Sequence, residues 1–62
     1  MTKITCKTSF TSNDVRQLFH NESIEIRKIR NYTYMVDLPR ITVEKMLFGY
    51  GVSLNEVFTE SV

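Results

Sequence analysis

The sequence predicts one compact α+β domain spanning residues 1–62, because a chain of 62 residues is too short to build a second hydrophobic core. The predicted element order is β-α-β-β-α-α. The strands form a three-stranded, mostly antiparallel sheet, and the helices pack on one face of it. Three patterns predict this fold: apolar alternation near the N-terminus, a hairpin pattern in the middle, and helical periodicity on both sides of the hairpin.

The N-terminal segment predicts a strand followed by a helix. Ile4, Cys6 and Phe10 occupy alternate positions, which is typical of a half-buried strand. Thr11 can cap a helix, and Asp14 stands where a capping box has its acid. This helix should end near residues 20–21 and bury one apolar stripe, composed of Val15, Leu18 and Phe19.

The middle of the chain has the clearest pattern, that of a β-hairpin. A three-residue loop at residues 30–32 sets Ile26 opposite Val36 on the inner face. A two-residue loop would instead bring an apolar residue opposite an acid, so the pattern favours the longer loop. Asn31 suits the left-handed position of such a turn. The other inward pairs are Ile24 with Leu38 and Lys28 with Tyr34.

The C-terminal part predicts two helices. Pro39 ends the second hairpin strand because it has no N–H to donate. Thr42 can cap a helix that stops at Gly51, with Val52 packing back as in a Schellman motif. A second capping box then predicts a short last helix. That box consists of Ser53 and Glu56. The inward residues of the first of these helices are Val43, Met46, Leu47 and Tyr50, and those of the second are Leu54, Val57 and Phe58. The pattern leaves open whether strand one lies beside the second or the third strand.

Composition excludes several classes of protein. The single cysteine, Cys6, rules out an intrachain disulfide and therefore a disulfide-stapled secreted domain. No apolar run approaches the ~20 residues that span a bilayer, and residues 1–10 lack a signal-peptide core. We therefore expect a cytoplasmic protein with no membrane partner.

The sequence offers no catalytic constellation, so we expect a protein that is not an enzyme. His20 falls at a predicted helix C-terminus, where a surface role is expected. Cys6 falls on the apolar face of a strand, which predicts a buried, inert thiol. One cysteine and one histidine do not complete a zinc site, and the glycines form no phosphate-binding loop. We expect neither a metal nor a cofactor.

The net charge of +1 conceals an asymmetry between the two halves of the chain. Residues 1–30 carry six Lys or Arg against three Asp or Glu, whereas residues 31–62 carry two against four. The densest basic run lies at the hairpin tip, where arginine, asparagine and tyrosine can grip phosphates and reach bases. The candidate nucleic-acid-binding residues are Arg27, Lys28, Arg30, Asn31, Tyr32 and Arg40.

Three segments resemble parts of known families. The segment IRKIRNYTYMVDLPRITVEKML, Ile26–Leu47, resembles the basic wing, proline-containing link and helix of excisionase-type winged-helix proteins. Thr42–Phe58, ending in GVSLNEVF, is similar to the last helices of Cro/CI-type repressors. The first helix, the hairpin and the final helices together resemble the double-stranded-RNA-binding-like fold of small mRNA-interferase toxins. The chain has no counterpart of a recognition helix, a helix-turn-helix or the toxins' catalytic histidine on the sheet.

These observations favour a small regulatory protein, of the sort that phages or mobile elements encode, that binds DNA or RNA through its hairpin. The alternative is a protein-binding inhibitor or modulator of a host protein, for example one that acts on nucleic acid. Phe48 and Tyr50 are the candidate contacts for this alternative, since Phe48 lies off the apolar stripe of its helix. A free sheet edge would also allow a homodimer, which is compatible with both hypotheses.

Overall fold

Four strands form one antiparallel sheet in the computed structural model, which describes all of residues 1–62. The strands and two helices follow one another in the order β-α-β-β-α-β. Their bounds are β1 Thr2–Cys6, α1 Ser9–Asn21, β2 Ile26–Arg30, β3 Thr33–Val36, α2 Arg40–Gly49 and β4 Val57–Ser61. The strand order across the sheet is β2-β3-β1-β4, which makes β1 and β3 the central strands and β2 and β4 the edges. The prediction of a small α+β domain is confirmed, but the predicted three-stranded sheet is wrong by one strand.

The connections make two split β-α-β units. β1 and β2 are both antiparallel to β3, so they run parallel to each other with β3 between them. β3 and β4 are likewise parallel to each other with β1 between them. A helix joins each parallel pair, which is the arrangement of the split β-α-β motif. The position of strand one, which the pattern left open, is therefore beside β3 and not beside β2.

Both helices pack against the same face of the sheet. The buried side chains form one apolar cluster to which the two central strands, β4, α1 and α2 all contribute. On the opposite face, Lys3, Thr5 and Met35 are only partly buried and Phe58 is exposed. The core residues are Ile4, Cys6, Val15, Leu18, Phe19, Tyr34, Val36, Val43, Leu47, Val52 and Val57. The fold thus has one covered face and one open face.

The last element is a strand and not the predicted helix. Ser53 accepts a hydrogen bond from the Asn55 N–H, so its hydroxyl closes a local turn instead of capping a helix. β4 then pairs with the free side of β1, with Val57 opposite Cys6 and Phe58 opposite Thr5. Because side chains alternate along a strand, Val57 faces the core while Phe58 faces outward. The helical ending implied by the resemblance of Thr42–Phe58 to Cro/CI-type repressors, and to the toxin fold, is therefore incorrect.

The boundary between β1 and α1 lies earlier than predicted. The Thr8 hydroxyl accepts a hydrogen bond from the Thr11 N–H, so Thr8 is the N-cap and Thr11 is already helical. Phe10 therefore lies in the first turn of α1, where it is 83 % exposed, and it is not an inward residue of the strand. The predicted end of the helix at residues 20–21 and its buried stripe are confirmed.

The hairpin has the predicted register along most of its length. Ile26 pairs with Val36 and Lys28 with Tyr34, as the three-residue loop requires. The ladder then shifts near Ile29, so that Arg30 pairs with Thr33. The left-handed residue is Tyr32, with φ 64°, and not Asn31 as predicted. A three-residue hairpin loop commonly has its left-handed residue last, which accounts for this difference.

Both helices end in a left-handed residue followed by a backward hydrogen bond. In α2, Gly51 has φ 84° and the Val52 N–H donates to the Leu47 carbonyl, which confirms the predicted Schellman motif. In α1, Ser23 has φ 57° and the Ile24 N–H donates to the Phe19 carbonyl in the same way. At its other end α2 begins after Pro39, so the predicted Thr42 cap is wrong: Thr42 lies inside the helix.

Candidate nucleic-acid interface

The predicted basic residues of the hairpin lie on an exposed edge strand. Arg27, Lys28 and Arg30 are all exposed on β2, which has β3 on one side and no strand on the other. The ion pairs of the molecule are Lys3 with Glu60 and Arg40 with Glu44, so none of the three is neutralised by a carboxylate. An exposed edge strand with unpaired cations is a surface on which phosphates can be bound.

The three cations are divided between the two faces of the sheet. Arg27 is paired with Met35 of β3, and Met35 is paired in turn with Lys3 of β1. Residues paired across neighbouring strands share a face, so Arg27 lies on the open face together with Lys3. Lys28 pairs with Tyr34, whose side chain is buried on the helix side. The positive charge therefore wraps around the edge of the sheet, and a bound polyanion would have to follow that edge.

Lys28 lines a groove between β2 and α1 that sequence reasoning missed. The groove has a volume of about 670 Å³, and Arg16 of α1 also lines it. Glu25 is the acidic residue of its wall. The polar residues of α1 along the groove are Asn13, Arg16, Gln17 and His20. Their spacing of three and four residues marks one helix face and was visible in the sequence, but nothing there indicated that this face lies beside the hairpin.

The turn of the hairpin presents an aromatic side chain in an unusual conformation. Tyr32 is 41 % exposed and has φ 64°, a region that residues with large side chains rarely occupy. Its carbonyl accepts a 2.7 Å hydrogen bond from the Cys6 N–H, which fixes the turn to the end of β1. Asn31 precedes it, also exposed, and its carbonyl accepts a 3.4 Å bond from the Thr33 hydroxyl.

Arg40 does not join the other candidate residues. Its Nε donates to Glu44 Oε2 at 3.3 Å and to Thr59 Oγ1 at 3.2 Å, and the Thr59 hydroxyl donates to Glu44 at 3.0 Å. Thr59 belongs to β4, the edge opposite β2. Three strand spacings, about 14 Å, separate the two edges. The structure therefore separates Arg40 from the basic hairpin and gives it a contact between α2 and β4.

The residues of the alternative hypothesis lie at the C-terminal end of α2. Phe48 is 79 % exposed, and Tyr50, the C-cap residue, is 40 % exposed. The expectation that Phe48 lies off the buried stripe is confirmed, whereas Tyr50 is not the inward residue that the helical period predicted. The two residues form an exposed aromatic shoulder on the covered side of the sheet.

Cys6 and His20 lie apart from each other. Cys6 is buried in β1, and burial raises the pKa of its thiol to about 11, so it is protonated at neutral pH. His20 is exposed in the last turn of α1. No group of three His, Cys, Asp or Glu side chains is placed to hold a metal ion. Neither of the two helices has the length and apolar character needed to cross a bilayer.

No protein family, no curated protein and no solved structure matches this chain.

Proposed function

We propose that the chain is a small regulatory protein that binds nucleic acid through the basic hairpin, residues 27–32. Arg27, Lys28 and Arg30 contact phosphates, because they are exposed, unpaired and next to one another along an edge strand. Arg16, across the groove from Lys28, extends the same positive surface. The near-neutral net charge of +1 makes binding depend on this local concentration of charge and not on the charge of the whole domain.

The observation that carries the proposal is the conformation of Tyr32. A residue other than glycine at positive φ costs roughly 1–2 kcal/mol. Glycine would avoid that cost, and asparagine would reduce it. The chain nevertheless has a tyrosine at φ 64°, exposed at the tip and preceded by Arg30 and Asn31. Strained residues of this kind are concentrated at functional sites. An aromatic ring here would stack on an exposed base, a contact that suits single-stranded nucleic acid.

The proposal is tested by the affinity of the protein for fluorescently labelled single-stranded and duplex DNA and RNA, measured by anisotropy. Lys28→Ala should weaken binding, because it removes an unpaired charge from the edge strand. Lys45→Ala is the matched control, since Lys45 is an exposed, unpaired lysine on the helix side of the molecule. Equal affinities for the two variants, or no binding to any of the four nucleic acids, would contradict the proposal.

A second candidate function, binding to a host protein, is supported by the exposure of phenylalanine. The chain has four phenylalanines, and three of them, Phe10, Phe48 and Phe58, are at least 61 % exposed. Exposed large apolar side chains often mark protein-interaction surfaces. The shoulder formed by Phe48 and Tyr50 is the candidate contact. Phe48→Ala should then reduce capture of one partner protein in a nuclease-treated pull-down, and Phe10→Ala, with an equally exposed ring on α1, is the control.

A further inference from the structure

The two edges of the sheet differ in how they are protected against pairing with another strand. β2 carries three exposed cations and a shift in its ladder, and both features oppose edge-to-edge pairing. β4 pairs with β1 in unbroken register over all five of its residues, with no proline and no cation. Glu60 is its acid, and Lys3 neutralises that carboxylate at 3.5 Å. The β2 edge is therefore protected against pairing with another strand, and the β4 edge is not.

The hydrogen bonds at the two ends of β4 identify which of its backbone groups are free. The Glu56 carbonyl accepts from the Lys7 N–H at 3.0 Å, and the Val62 N–H donates to the Met1 carbonyl at 3.1 Å. Backbone groups alternate in direction along an antiparallel strand, so the even-numbered residues between these ends also face β1. The N–H and C=O groups of the odd-numbered residues consequently point away from the sheet. These residues are Val57, Thr59 and Ser61.

We propose that β4 pairs with β4 of a second copy of this chain, in an antiparallel, twofold-symmetric edge contact that joins the two sheets into one of eight strands. The free groups of β4 are complementary to themselves under a twofold axis. With the axis at Thr59, Val57 lies opposite Ser61 of the other copy and all five residues of both strands are paired. Every outward-pointing donor and acceptor of the edge is then satisfied.

The side chains on the open face favour the same partner. Phe58 is 61 % exposed beside the free edge, where a monomer leaves it in water. In the Thr59-centred register the two Phe58 rings are diagonal neighbours about 7–8 Å apart, within reach of each other. Arg40 and Glu44 contact Thr59 from the covered face, so they do not obstruct the edge. A domain of this size gains from burying apolar surface in a dimer, because its own core is small.

The proposal is tested by sedimentation of the full chain over a wide range of protein concentrations. The wild-type protein should reach the mass of two chains. Phe58→Glu should shift it to the monomer, because it places a carboxylate directly opposite Glu60 of the other copy. Ser61→Pro should do the same, since it removes an outward N–H without breaking the ladder to β1. Phe10→Glu, which introduces the same charge at an exposed phenylalanine of α1, should remain dimeric.

The outcomes separate the proposal from its alternatives. A wild-type chain that stays monomeric at the highest concentration would overturn it. A dimer that both β4 variants retain would also overturn it, because the contact would then lie elsewhere. Circular dichroism of each variant verifies that the fold is kept, and the two variants act by different means, so failure of one to fold leaves the other informative. The dimer does not depend on nucleic-acid binding.

Discussion

The Cys6 N–H donates a 2.7 Å hydrogen bond to the Tyr32 carbonyl, so the tip of the hairpin is fixed to the end of the central strand β1. This bond holds the turn in place while Tyr32 occupies its left-handed conformation, φ 64°. The turn that carries the exposed ring is thereby attached to the central strand, and it follows directly on the strand that carries the cations. The proposed binding of nucleic acid depends on this turn, in which a strained aromatic residue follows a strand of unpaired positive charges.

The strain at Tyr32 predicts opposite effects of one substitution on stability and on binding. Tyr32→Gly should raise the free energy of unfolding by about 1 kcal/mol, since glycine accepts positive φ without strain. The same variant should bind nucleic acid more weakly because the stacking ring is lost, by about 1–3 kcal/mol. Urea denaturation and fluorescence anisotropy measure the two effects.

Ser23→Gly is the control for that experiment. Ser23 also has positive φ, 57°, but it lies at the end of α1 and away from the hairpin tip. Ser23→Gly should raise the free energy of unfolding in the same way, while the affinity of the protein for nucleic acid stays unchanged. A Tyr32→Gly protein that binds as tightly as the wild type would show that the ring does not stack on a base.

The hydrogen bond between the buried hydroxyls of Ser12 in α1 and Tyr34 in β3 predicts that substitutions at the two residues have non-additive effects on stability. Ser12 Oγ and the Tyr34 hydroxyl lie 2.5 Å apart and both are buried. Tyr34→Phe leaves the Ser12 hydroxyl without a partner and should lower the free energy of unfolding by about 1–3 kcal/mol. Ser12→Ala should have a similar effect, and the double variant should lose less than the sum of the two. Tyr50→Phe, at an exposed tyrosine, should leave stability unchanged; additive losses in the cycle would argue against the bond.

Burial of Cys6 predicts a loss of stability in alkaline solution. Its folded-state pKa is raised from 9.0 to about 11, because burial disfavours the thiolate. Between these values the unfolded chain has released the thiol proton and the folded chain has not, so unfolding becomes more favourable as pH rises. The stability that the protonated, buried thiol contributes is fully present below pH 9.0. It falls between pH 9.0 and about pH 11, and no further loss follows above that range. Lysines titrate in the same range, so the informative quantity is the difference between wild type and Cys6→Ala in urea denaturation at each pH. An equal decline in both proteins would contradict the burial argument.

The sequence predicted the first three strands and both real helices because each carries a strong periodic pattern. Its errors lie where two local signals compete. Ser53 and Glu56 have the spacing of a capping box, but the free side of β1 offers residues 57–61 a strand to pair with, and no local pattern reveals it. Thr8 and Thr11 are both good caps, and only the structure distinguishes between them. The prediction missed the fourth strand because tertiary contacts, and not the local sequence, determine it.

The candidate site was predictable in part for the same reason. Arg27, Lys28 and Arg30 are consecutive or nearly so, and their shared strand keeps them together. Arg40 is ten residues further along the chain, and the crossing from β3 to α2 carries it to the opposite edge of the sheet. Arg16 lines the same groove as Lys28 only through the packing of α1. The positions of Arg40 and Arg16 are both set by contacts between segments that are distant in sequence, and residue spacing does not reveal such contacts.

The salt dependence of oligonucleotide binding shows whether the cations of the hairpin hold phosphates. Each phosphate contact that a cation makes contributes about −0.7 to the slope of log K against log salt for a single strand, and about −0.9 for a duplex. The wild-type slope should therefore be steep, and Arg27→Ala combined with Arg30→Ala should make it shallower by about two such contributions. Arg40→Ala should leave the slope unchanged, because Arg40 is paired with Glu44 at the other edge. A wild-type affinity that is flat across salt, or a slope that responds to Arg40 and not to Arg27 and Arg30, would contradict the account.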